Sequence, residues 1–82
     1  MLKIPSVGQS VWCWPSPLNR LSLMIEHDQP CAGVIAFAHS DTSVNVFVVG
    51  HNGVTRFFNR VFLRQFGERP PADENYCEWP VT

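Results

Sequence analysis

Short apolar runs, separated by glycine, proline and small polar residues, mark out this chain. Ser10-Val11-Trp12-Cys13-Trp14 is the first strand candidate, and Pro15 and Pro17 end it, because proline fixes φ and lacks a backbone donor. Residues 31–38, Cys-Ala-Gly-Val-Ile-Ala-Phe-Ala, read as a strand with close backbone approach at Gly33. A polar turn over 39–43 leads into Val44-Asn45-Val46-Phe47-Val48-Val49, the run richest in β-branched residues. Asn52-Gly53 predicts a tight hairpin with positive φ at the turn, and Val54-Thr55-Arg56-Phe57-Phe58 is its return strand. Residues 31–58 are therefore expected to form an antiparallel meander of three strands. Tyr76-Cys77-Glu78-Trp79, closed by Pro80, is the last candidate. Two segments stay ambiguous in pattern. Residues 20–26 suit a strand, an irregular arm or a short helix, and residues 60–66 suit a continued strand or a helical turn.

About five short strands around one core predict an all-β fold, a small barrel whose closure removes the free edges of the meander. Closure would also bring the two ends of the chain together, with Trp12 and Trp14 beside Tyr76 and Trp79. At 82 residues the chain has room for one domain, residues 1–82.

Composition sharpens the functional expectation. The chain is 45% hydrophobic and only 16% charged, against roughly 25% charged in an ordinary domain. It is too apolar for disorder, and its surface carries an unusual share of neutral area, as surfaces that dock on a partner often do. The net charge of −1 gives no global attraction to nucleic acid or to an anionic membrane, and no segment is long and apolar enough to span one. No secretory signal is visible at Met1–Pro5, so the cysteines Cys13, Cys31 and Cys77 are expected as buried thiols in a reducing compartment.

Catalytic chemistry finds little support. The three cysteines and the three histidines, His27, His39 and His51, show no close ligand pair of the kind that structural zinc sites use, so neither a metal nor a cofactor is expected. The carboxylates Glu26 and Asp28, and Asp73 and Glu74, fall in expected loops, and phosphate-binding glycine patterns are absent. The expectation is a protein that is not an enzyme.

Aromatic residues and arginines are the stronger pointers. Trp12 and Trp14 are two apart and share a strand face, which suits core packing or a stacking or peptide-binding platform. Phe57 and Phe58 are adjacent and point to opposite faces, so at least one of them leaves the core, unless a second layer covers it, and points to an interface. Arg56, Arg60 and Arg64 would form a basic stripe if helical, and with an aromatic neighbour such a stripe could hold single-stranded nucleic acid. Salt bridges to the acidic C-terminal stretch would account for them equally well. The candidate partner-binding set is thus Trp12, Trp14, Arg56, Phe57, Phe58, Arg60 and Arg64.

The opening Val7-Gly8-Gln9-Ser10-Val11, the strand Ala32-Gly33-Val34-Ile35, the run Val44 to Val49, the step Phe57-Phe58-Asn59-Arg60-Val61 and the Trp79-Pro80 close resemble a group of small tailed-bacteriophage and prophage proteins. In that group the tail is Trp-x-Trp-Pro-like and the turn is Asn-Pro-x-Gly. Here Tyr76 replaces the earlier aromatic of the tail, and the turn is Asn52-Gly53. The resemblance implies an SH3-like barrel and a viral origin, and it brings no catalytic or binding residues. The leading expectation is a protein-interaction module binding a host or viral protein, or a second copy of itself, in the host cytoplasm. The alternatives are a virion component, such as a decoration or tail accessory protein, and a single-stranded nucleic-acid binder.

Overall fold

The computed structural model describes residues 3–17, 29–65, 67–69 and 74–80. Five strands close into a barrel in sequence order: β1 (Ser10–Trp14), β2 (Cys31–Ser40), β3 (Ser43–Val49), β4 (Thr55–Arg64) and β5 (Tyr76–Glu78). This is the expected all-β architecture, consistent with a small SH3-like barrel. The meander over 31–58 forms as β2, β3 and the first part of β4, and β1 pairs antiparallel with both β2 and β5. The pair β4 and β5 runs parallel, with Leu63 beside Cys77, and departs from an all-antiparallel arrangement. Parallel neighbours cannot be joined by a short hairpin, and residues 65–75 separate β4 from β5 in the sequence.

The local signals act as their chemistry requires. Gly50 and Val54 flank the loop His51-Asn52-Gly53, closed by Gly53 N–H to the Gly50 carbonyl at 2.9 Å and Gly50 N–H to the Val54 carbonyl at 2.7 Å. Gly53 takes the left-handed conformation at φ 87°, and the Asn52 side chain accepts the Val54 N–H. A three-residue loop ending in a left-handed glycine is the common alternative to the two-residue hairpin. Residues 60–64 continue β4 as a strand. Residues 20–26 lie outside the described residues.

Alternation along β1, β3 and the Cys31-to-Ile35 half of β2 sends one face inward, and register shifts break it in the rest of β2. The core comprises Val11 and Cys13 from β1, Cys31 and Ile35 from β2, Val44, Val46 and Val48 from β3, Val61 and Leu63 from β4, and Cys77 from β5. Its members are small: the cysteines pack as compact apolar side chains, and the aromatics Phe58 and Trp79 lie against the core without being fully enclosed. Gly33 lets β1 and β2 approach, since a Cβ there would collide with the Cys13 sulfur. The close approach read from the sequence at Gly33 is thus filled by a thiol.

One buried polar residue ties the ends to the barrel. Gln65 Nε2 donates to the Lys3 and Asp41 carbonyls at 3.0 and 2.7 Å. Its Oε1 accepts the Lys3 N–H at 3.1 Å and the Trp79 indole N–H at 3.2 Å. Both amide hydrogens and both lone pairs are used, so its burial leaves nothing unsatisfied. The Lys3 ammonium also sits 4.6 Å above the Trp79 ring.

Candidate interaction surface

The outer face of the barrel is apolar where β1 to β4 run side by side. Strand register places Ser10, Val34, Phe47 and Phe57 in one cross-strand row, and Trp12, Ala32, Val49 and Thr55 in the next. Six of these eight positions are apolar and none is charged. An antiparallel sheet with one face in water ordinarily alternates apolar-in and polar-out. Here Val34 is 44% exposed, Phe47 45% and Phe57 51%. Trp12, Ala32, Val34, Phe47, Val49 and Pro80 line a shallow groove of about 240 Å³ on this face.

The seven residues singled out by sequence divide into groups. Phe57 points outward and stands opposite Phe47, while Phe58 pairs with buried Val46 and packs on the core, so the Phe57-Phe58 step places one ring on each face. Trp12 lines the groove. Trp14 shares its outward face, but its ring stacks on Tyr76 with centroids 6.4 Å apart, and its indole N–H donates to Glu78 Oε2 at 3.1 Å. Trp12 and Phe57 thus stand at the two sides of one apolar band, three strands apart, and Trp14 belongs to the β1–β5 seam.

The arginines do not form a stripe. A β-bulge opposite Asn45, between the pairs Val46–Phe58 and Val44–Val61, shifts the alternation of β4. Arg56 precedes it on the parity of inward-facing Phe58, and Arg64 follows it on the opposite parity to buried Val61 and Leu63. Arg60 occupies the bulge in the left-handed region, φ 53°, and its N–H donates to Asn45 Oδ1 at 2.8 Å. The same oxygen lies 2.9 Å from His39 Nε2, which fixes that nitrogen as the protonated one. Arg60 lines a separate polar cavity of about 480 Å³ with Thr42, Asn59 and Glu74. Arg64 pairs with Glu78, Nη1 to Oε1 at 2.7 Å, and its Nε donates to the Glu68 carbonyl. Arg64 is therefore held by the acidic C-terminal stretch, one of the two readings open from sequence.

Val34, Phe47 and Val49 are interface candidates that sequence reasoning missed. Their signal was the unbroken apolar runs Val34-Ile35-Ala36-Phe37 and Val46-Phe47-Val48-Val49, each of which leaves apolar side chains on both faces of its strand. Among the described residues no three His, Cys, Asp or Glu side chains lie close enough to hold a metal ion, and no helix is long and apolar enough to cross a membrane. Comparison with family models, curated proteins and solved structures returns no match.

Proposed function

We propose that the protein is a non-enzymatic interaction module whose outer β1–β4 face docks on an apolar, uncharged patch of another protein. One observation carries the reading: the exposed, charge-free row Val34, Phe47 and Phe57, continued by Trp12 and Val49. Interface cores are depleted of charge and enriched in aromatic side chains, and this band matches them in both respects. The sequence resemblance extends the proposal to a bacterial or phage partner. The scattered arginines, one of them held by Glu78, favour protein over single-stranded nucleic acid as the ligand.

The test is capture of partners from host cells by the tagged protein and by its Phe47→Ser/Phe57→Ser form, with light scattering of both for self-association. A partner or dimer retained by wild type and by Arg56→Ala, and lost by the double variant, supports the surface. Equal recovery by all three proteins, or a wild-type monomer with nothing enriched, overturns it.

A further inference from the structure

Closure of the barrel rests on its shortest strand. The three residues of β5 pair with β1 and with β4, and the central pair on the β1 side is Cys13 opposite Cys77. Both side chains are buried, at 2% and 0% exposure, and their sulfurs lie 3.0 Å apart. Directly opposed residues of antiparallel strands have Cα atoms about 4.5–5.5 Å apart, within the roughly 4.4–6.8 Å span of disulfides. Space for the sulfurs exists because Gly33 carries no Cβ beneath Cys13. Cys31 is paired with Cys13 in register on the β2 side, and Cys77 on the β5 side has its sulfur at 3.0 Å from that of Cys13.

We propose that Cys13 and Cys77 form a redox staple, a thiol pair that a low-molecular-weight disulfide converts to a cystine bridging the β1–β5 seam. The first thiolate attacks one sulfur of the small disulfide, whose S–S bond breaks to release one thiolate and leave a mixed disulfide on the protein. The second cysteine thiolate then attacks the protein sulfur of that mixed disulfide, forming the Cys13–Cys77 bond and expelling the second small thiolate. Two electrons pass from the cysteines to the reagent, and the two protons they lose end on the two released thiols. Burial makes the first attack wait for β5 to part from β1, so the pair stays reduced where small thiols prevail and closes when the protein meets an oxidising environment. The closed form locks together strands 64 positions apart in sequence, converting a non-covalent barrel seam into a covalent one.

The experiment incubates the folded protein with oxidised glutathione and follows intact mass, non-reduced peptide mapping and thermal midpoint. The expected product is a monomer lighter by about 2 Da, with the Cys13 and Cys77 peptides linked, whose melting midpoint rises by about 10 °C or more and returns on reduction. Cys31→Ser gives the same product, and its mapping keeps the test independent of whether Cys13→Ser or Cys77→Ser folds. A stable glutathione adduct, a Cys13–Cys31 link, disulfide-linked dimers or a linked monomer that melts lower would each overturn the proposal.

Discussion

Phe47 and Phe57 stand directly opposite one another on β3 and β4, on the outside of the barrel, each about half exposed. The next residue, Phe58, faces the other way and packs on the core. The two neighbouring rings therefore have separable roles. Phe57→Ser removes one cross-strand pair and lowers stability by under about 1 kcal/mol. Phe58→Ala strips contacts from the core and costs about 2–3 kcal/mol, less than the full burial of a phenylalanine would. Urea unfolding of the two variants checks the contrast. Equal losses would mean that Phe57 is structural and that the outer band is not free to dock.

The Phe57-Phe58 step was legible because a strand's side chains alternate whatever surrounds it. The same holds for Trp12 and Trp14, whose common face is realised, and for Asn52-Gly53, whose glycine supplies the positive φ. The arginine arrangement was not legible. It depends on the bulge at Arg60, and an arginine gives no local sign of a left-handed backbone; the Asn45 side chain that receives its N–H lies on another strand. The parallel β4–β5 pairing was hidden for a similar reason, since nothing in the residues of either strand announces the direction in which its neighbour runs. The apolar outer face was half visible, in an uninterrupted valine-rich run that makes a strong strand but does not by itself say which of its two apolar faces stays uncovered.

Gly33 lies where β1 and β2 close over the Cys13 sulfur. Gly33→Ala places a methyl against a short side chain that is itself held by Cys77, so neither can swing clear. The expected loss is about 1–3 kcal/mol. Combining it with Cys13→Ala removes the colliding sulfur, and the double variant should lose at least about 1 kcal/mol less than the sum of the two single losses. Additive losses in urea unfolding would show that the glycine is required for some other contact.

Alkaline pH should weaken the reduced protein. The Cys13 thiol is held far above the ordinary thiol range, first by its hydrogen bond to Cys77, then by burial and by repulsion from a Cys77 thiolate. The unfolded chain gives up that proton near pH 8.5 and the folded chain keeps it, so this contribution is fully present below about pH 8.5 and is lost as pH rises, by about 1.4 kcal/mol per unit. Tyr76 is shifted upward as well, by burial and then by Glu78, with Arg64 opposing, and adds to the loss above about pH 10. Unfolding free energies measured in reductant at pH 7, 8.5 and 9.5 should be flat over the first interval and fall over the second. In Cys13→Ala the fall should be shallower by about one proton's worth; an unchanged slope would assign the effect to other groups.

Gln65 is placed for a sharper electrostatic test, because it is 2% exposed and each of its amide hydrogens has a carbonyl acceptor. Gln65→Leu keeps comparable bulk but strands the Lys3 and Asp41 carbonyls and the Trp79 indole N–H, at an expected cost of about 2–4 kcal/mol. Gln65→Glu retains the acceptors for Lys3 and Trp79 but turns a carboxylate oxygen toward two carbonyls. Burial and those carbonyls favour its neutral form, so its folded pKa lies above the unfolded value of about 4.3. A group shifted in that direction binds its proton more tightly in the folded state, so the variant recovers relative to wild type as pH falls from 7 toward 4. The protonated acid can then donate to one of the two carbonyls, while the leucine variant, with nothing to titrate there, should keep a constant deficit. Parallel pH profiles for the two variants would show that water replaces the amide at this position, and that the ends of the chain are held by their other contacts.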